Sequence, residues 1–316
     1  MLTHNHRAQF ERDGFTIVAS LMGPDVLEAV RADYARAMDT LYRRWHARGL
    51  VAPAPDALDL FGQIEAATRA GLDWFQPLDI SLPGGRIAPD TPFHVSQPVL
   101  DMLTAPELLD AVEGLLGPEL TSVPIQHVRI KPPAGALRGG ESLAHVTPTA
   151  WHQDRGVGHA DADATQMVTC WIAMTDADET NACLTAVPGA HRSGMVVHCP
   201  QVQTSIAPGL VDEARAVPLR VRAGDVVLLH PLTPHASLPN GATRFRWSFD
   251  VRYAVTGQPT GRAHFPAFVA RSRADPTREL RDGQRWRAMW EAARAACAAA
   301  PHIPIHRWDA AAPACA

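Results

Sequence analysis

Apolar positions along the chain follow two periods. Over 5–13 and 24–46 they recur at helical spacing, and in the second stretch Val26, Leu27, Val30, Tyr34, Met38 and Leu41 share one side behind a Gly23-Pro24-Asp25 start. Between these helices, Gly14-Phe15-Thr16-Ile17-Val18 reads as a short strand. A further helix is predicted over 97–116, with Val99, Leu100, Leu103, Leu108, Leu109, Val112, Leu115 and Leu116 on its apolar side, up to a break at Gly117-Pro118. Such helices are expected to pack outside a sheet.

From 122 onward the period shortens. Apolar runs at 122–131, 166–174, 183–188, 194–198, 217–222, 225–230 and 244–254 are separated by Gly, Pro and Asn, a texture that predicts a sandwich or jelly roll. The last run alternates: Trp247, Phe249, Val251 and Tyr253 share one face, and Arg246, Ser248, Asp250 and Arg252 the other. A polar strand face inside a barrel points at a site. The stretches 81–94 and 132–150 lack periodicity and are expected to form mobile lids, and an Ala/Arg-rich helix is predicted over 277–299.

Composition narrows the class. A chain of 316 residues, 46% hydrophobic and 20% charged, can bury a real core, and one catalytic domain over 1–316 is expected. Its parts are a helical N-terminal region (1–121), a β core (122–255) and a C-terminal extension (256–316). A net charge of -4, with Lys131 the single lysine and no Lys/Arg cluster, excludes a phosphate-backbone partner, so no nucleic acid is expected. Five cysteines, odd in number and without CxxC spacing, suggest neither a disulfide framework nor structural zinc. A reducing, cytoplasmic setting is expected, and no apolar run approaches signal-peptide or membrane-span length. Oligomeric state is not legible.

Chemistry concentrates at Trp151-His152-Gln153-Asp154. On extended backbone His152 and Asp154, two apart, leave the same face, close enough to share one ion. His235, after the strand that begins at Gly224-Asp225, is the best third ligand. Two imidazoles and a carboxylate on one side of an octahedral metal make the facial triad of non-haem Fe(II) oxygenases, which leaves positions for a bidentate cosubstrate and O2. Arg246, eleven residues on, offers a planar guanidinium to the distal carboxylate of a dicarboxylate, with Ser248 on the same face as a further donor. Its rival reading is an ion pair with Asp250.

Further elements repeat a known order: Gln9-Phe10-Glu11-Arg12-Asp13-Gly14-Phe15, Lys131-Pro132-Pro133, Thr169-Cys170-Trp171-Ile172-Ala173-Met174, Asn181-Ala182-Cys183-Leu184, Val187-Pro188-Gly189-Ala190-His191-Arg192, Gly224-Asp225, His230-Pro231 and Phe245-Arg246. Together with Trp151 to Asp154 and His235, they make the chain resemble the phytanoyl-CoA dioxygenase family of Fe(II)/2-oxoglutarate-dependent oxygenases, over 8–30 and 95–255. The resemblance implies a mainly β fold, a double-stranded β-helix (jelly roll, cupin-like) with buttressing N-terminal helices and a C-terminal helix. It implies Fe(II), 2-oxoglutarate and O2, iron ligands His152, Asp154 and His235, and Arg246 as the 2-oxoglutarate anchor, with Trp171 and the segment from Gln126 to Lys131 flanking the cosubstrate. Ala182 and Ala190 depart from the glycine and serine common in the family.

The expected reaction is hydroxylation of a small or medium organic molecule, such as a secondary metabolite, with succinate and CO2 released. Asp154, in place of a small residue, argues against halogenation. Desaturation, epoxidation or ring rearrangement, a non-catalytic cupin-like metal protein and a zinc hydrolase are the alternatives. Trp171 is core packing or cosubstrate wall. Arg155 meets an anionic substrate or pairs with Asp161 or Asp163. Phe75 and Phe93, with Trp74, are expected near the mouth, and His145 and His159 are expected to face solvent.

Overall fold

In a computed structural model, which describes residues 2–137 and 145–315, the helical period yields α1 (His4–Asp13) and α2 (Pro24–Ala47). Thr3 caps α1 by accepting from His6 N, and Gly14 ends it in the left-handed region at φ 83°. α2 buries Leu27, Val30, Tyr34, Met38, Tyr42 and Trp45 as one stripe. The region 47–95 contributes α3 (Leu60–Ala70) and α4 (Phe75–Leu78). The predicted helix over 97–116 is two, α5 (Gln97–Leu103) and α6 (Pro106–Leu116), because Pro106 has no amide hydrogen for the Met102 carbonyl and bars Ala105 from helical backbone.

Among the described residues, eleven strands follow the shorter period. They are β1 (Phe15–Val18), β2 (Glu119–Lys131), β3 (Met167–Ala173), β4 (Leu184–Ala186), β5 (His198–Pro200), β6 (Thr204–Ile206), β7 (Val217–Leu219), β8 (Val226–Leu229), β9 (His235–Ser237), β10 (Arg246–Val255) and β11 (Phe268–Ser272). A six-stranded antiparallel sheet runs β1-β8-β3-β10-β2-β11, faced by the three-stranded sheet β7-β4-β9, with β5-β6 as a separate hairpin. This is the double-stranded β-helix, with its helices on the outside of the large sheet. The strand predicted at 194–198 lies instead at 198–200, since Gly194 sits at φ 80° and Val196 gives its N–H to the Gln153 side chain, not to a ladder.

Strand β10 divides the interior. Trp247, Phe249, Val251 and Tyr253 pack outward, Tyr34 of α2 lying 5.2 Å from the Trp247 ring and edge-on to Phe249 at 5.6 Å. Its other face turns toward the smaller sheet, where Phe15, Trp171, Leu184, Leu219, Val227 and Leu229 close the inter-sheet core. β1 and β11, from outside 122–255, both complete the large sheet. Helix α7 (Gly283–Ala299) starts later than predicted because Asp282 caps it, accepting from Gln284 N and Arg285 N. Among the described residues no helix is long and apolar enough to cross a membrane.

Candidate metal centre and active site

His152 and His235 are cross-strand partners: His152 N donates to His235 O at 2.9 Å and His235 N returns to His152 O at 3.0 Å. Backbone pairing sets the two rings side by side, centroids 4.2 Å apart. Each Nδ1 gives its hydrogen to a carbonyl, His152 to Ala150 (2.9 Å) and His235 to Thr233 (3.0 Å), so both Nε2 lone pairs face the same space. Asp154 closes it, at 3.8 Å from His152 Nε2 and 3.9 Å from His235 Nε2. All three residues are buried, and their ligand atoms lie within 4.8 Å of one another. Burial raises the Asp154 pKa, but Arg252, His235 and His152 outweigh it and hold the carboxyl below its usual range. Burial, reinforced by His235, pushes His152 down to about 3, which leaves it neutral.

This donor set fits a divalent metal ion. Two imidazoles whose Nδ1 hydrogens go to carbonyls offer Nε2 lone pairs, and buried Asp154 Oδ2 has no hydrogen-bond partner among the described residues. Arg252 pairs with the other oxygen and also donates to Ile125 O at 2.7 Å, which orients the carboxylate. Gln153 locks the segment from behind, giving Nε2 to Gly194 O and Leu232 O and accepting from Val196 N. Gly14 supports the other side: its carbonyl accepts from Thr233 Oγ1 at 2.7 Å, and a Cβ there would lie 2.4 Å from that oxygen.

Deeper in the same pocket lies Arg246, 1% exposed. Its Nε donates to Ala182 O (3.0 Å) and one terminal nitrogen to Ser248 Oγ (2.7 Å), while the guanidinium sits over the Trp171 ring at 5.3 Å. Among the described residues no carboxylate pairs with it, since Asp250 pairs with Arg129 at 2.8 Å. Burial brings Arg246 down to about 10, still cationic at neutral pH. Lys131, opposite Arg246 across the ladder, points elsewhere: its Nζ donates to Thr147 O, Thr149 Oγ1 and Ser237 Oγ, pinning the segment before His152. Gln126 donates to Ile80 O and lines neither pocket.

A cavity of about 380 Å³ opens beside His152. Its wall includes Leu82, Gly84 and Gly85 from the 81–94 stretch; the other expected lid, 132–150, lies partly outside the described residues. His145 does not face solvent as expected but lines this cavity, because its ring packs between Phe75, stacked at 4.6 Å, and His127, at 5.0 Å. Burial, then Arg129, keeps it neutral. His127 also lines it, its Nδ1 held by Asp79 Oδ2 at 2.7 Å. Arg155 is turned away: both terminal nitrogens donate to backbone carbonyls, Ala162 O and Thr165 O, and Asp163 is taken by Arg307. Phe93 is core, packed on Trp290 and Arg294.

The C-terminal segment wraps this region. Ile305 and His306 line the cavity, Trp308 donates to Gly156 O and stacks on His198, and Cys315 forms a disulfide with Cys199 on β5. The bridge corrects the expectation of unpaired cysteines: its partners are 116 residues apart, a pairing that spacing cannot reveal.

The family model described as phytanoyl-CoA dioxygenase (PhyH) matches residues 10–248. The chain belongs to the phytanoyl-CoA dioxygenase family. A similar curated relative is the peroxisomal phytanoyl-CoA dioxygenase of Mus musculus, 22% identical over 254 residues, covering 78% of this chain and 66% of the relative, just under two thirds. Among solved structures, the non-heme monooxygenase ThoJ is similar with a TM-score of 0.59 at 21% identity, covering 92% of this chain and 96% of that one. The epimerase SnoN, in complex with Fe3+, alpha ketoglutarate and nogalamycin RO, gives 0.53 at 21% identity, covering 88% and 93%. The family match ends before Arg252, Arg262, Ile305 and His306, four of the eighteen residues that line the outer cavity.

Proposed function

We propose that the protein is an Fe(II)/2-oxoglutarate-dependent oxygenase that hydroxylates a small or medium organic molecule. One observation carries this reading: a buried pair of Nε2 lone pairs and an orphaned carboxylate oxygen share a pocket with a buried arginine that has no carboxylate partner among the described residues. When bound, iron(II) supplies the oxidising chemistry that places one atom of O2 in a substrate C–H bond and the other in succinate, with CO2 lost from 2-oxoglutarate.

His152, Asp154 and His235 would hold the metal, and their carbonyl and guanidinium partners fix the rings and carboxylate so that little ordering remains on binding. Arg246, set by Ala182 O and Ser248, would take the distal carboxylate of 2-oxoglutarate, with Trp171 as the wall beneath it. The outer cavity would hold substrate beside His152 and exclude water from the reacting carbon. Desaturation, epoxidation or ring rearrangement would use the same residues and differ only in the product.

We take the chain as one catalytic unit, on the ground that strands from both ends complete its main sheet. We also place it in the cytoplasm on the need for 2-oxoglutarate alone, since the Cys199–Cys315 bridge removes the cysteine argument for a reducing compartment, and in secondary metabolism, as with the nogalamycin enzyme that shares its fold. The test is stoichiometric: purified protein with Fe(II) should consume 2-oxoglutarate and form equal succinate, faster when substrate is present. Zinc-dependent hydrolysis without succinate would refute the reading.

A further inference from the structure

Three arginines line the cavity beside His152, and two have acidic partners. Arg129 pairs with Asp250, and Arg252 with Asp154. Arg262 differs. It is 5% exposed, one terminal nitrogen donates to Val157 O at 2.8 Å, and its buried Nε has no partner. Among the described residues it forms no ion pair, and the Phe265 ring, 5.8 Å from the guanidinium carbon, backs it.

A buried charge with no counter-ion costs several kcal/mol unless an anion arrives to compensate it. Among the described residues the cavity supplies none. His127 and His145 are held neutral there by burial, and Asp154 and Asp250 are already matched. Iron(II) with the dianion 2-oxoglutarate would add no net charge, and Arg246 lies in the inner pocket, outside the lining of this cavity. Arg262 is left as the uncompensated cation of the substrate space, beside apolar Leu82, Ile125 and Ile305.

We propose that Arg262 recognises an oxyanion head group on the substrate, a carboxylate or a phosphate ester, while the apolar wall holds its carbon skeleton toward His152. This rests on the oxygenase reading and deepens it. Burial and the Arg252 charge bring Arg262 down to about 10, so it remains a cation at neutral pH. Val157 fixes one arm of the fork, leaving the rest of the guanidinium for a planar oxyanion.

The test measures binding, by calorimetry without oxygen, to protein loaded with Mn(II) and saturating 2-oxoglutarate. The probes are hexanoate and 3-phenylpropionate, their neutral amides, and hexyl phosphate. A charge-assisted contact should favour acid over amide by about tenfold or more. Arg262→Gln should reduce that preference to less than about twofold, while 2-oxoglutarate affinity, measured on the same variant, stays unchanged. The tighter of the carboxylate and phosphate arms identifies the head group. Amides binding as well as acids, a preference surviving in Arg262→Gln, or no probe binding in the millimolar range would each overturn the proposal. Loss of 2-oxoglutarate binding by the unmodified protein would instead sink the oxygenase reading.

Discussion

Replacing Arg246 by alanine tests the cosubstrate pocket directly. The guanidinium is 1% exposed, rests on Trp171, and is aimed by Ala182 O and Ser248 Oγ, so a carboxylate arriving there meets a desolvated, preset donor. Removing one partner of such a pair costs about 2 to 5 kcal/mol, or roughly 30-fold and upward in 2-oxoglutarate affinity. Ligand at 100 times its dissociation constant stabilises a protein by about 2.7 kcal/mol, and after a 30-fold loss the same concentration leaves about 0.9 kcal/mol. Thermal unfolding with and without 2-oxoglutarate should therefore show most of the ligand-induced shift lost in Arg246→Ala. The unliganded variant should melt within about 3 °C of wild type, because the charge removed has no carboxylate partner among the described residues. Arg246→Lys should fall between, keeping charge but not the fork. A 2-oxoglutarate dissociation constant within twofold of wild type in Arg246→Ala would refute the assignment.

Asp154→Ala should lower Fe(II) affinity by at least about tenfold and abolish succinate formation, with metal content after dialysis as the check; retained iron and turnover would exclude Asp154 as a ligand. Gly14→Ala should cost about 2 kcal/mol or more, since Gly14 sits at φ 83° and the added carbon would strike Thr233, whose carbonyl orients His235; iron titration should show weaker binding as well. Ala182→Gly should stabilise by about 0.5 to 1 kcal/mol, because Ala182 is held at φ 67°, while its carbonyl still serves Arg246 and 2-oxoglutarate affinity stays the same. Burial lowers His198 to about 4, with the Val196 carbonyl opposing. A folded-state value below the unfolded one gives stability that is present above about pH 6.5 and lost as pH falls toward 4, about 3 kcal/mol at most; His198→Gln should flatten the acid limb of the melting curve.

Local patterning carried much of this fold. The alternation of β10 is readable because from Arg246 to Tyr253 each inward residue is polar and each outward one aromatic or branched, and the two-residue spacing of His152 and Asp154 needs only an extended backbone. What escaped depends on distance in sequence. Arg252 reads as a residue too far along the strand, and only the closed sheet brings it to Asp154. β11 and the Cys199–Cys315 bridge lie in a tail with no local signal. α3 carries little signal because polar Gln63 and Thr68 share its buried side with Ile64 and Ala67.

That pattern of success and failure has a physical cause. Metal and cosubstrate are small and fixed in shape, so the residues proposed to hold them sit close together on paired strands, where period and spacing show in the sequence: His152 on its bridge to His235, and Arg246 on β10. Substrate contacts answer to a variable shape and are drawn from whatever chain reaches the barrel mouth. Here that chain is the loop at 82–85, the turn carrying Arg262 and the segment ending at Cys315. Each is positioned by contacts to the barrel, not by its own periodicity: Arg262 by Val157 O, Trp308 by Gly156 O, and Arg307 by Asp163. Specificity in this protein is therefore expected to follow substitutions in the 82–85 loop, at Arg262 and in the C-terminal segment, and the choice of cosubstrate those at Arg246 and Ser248.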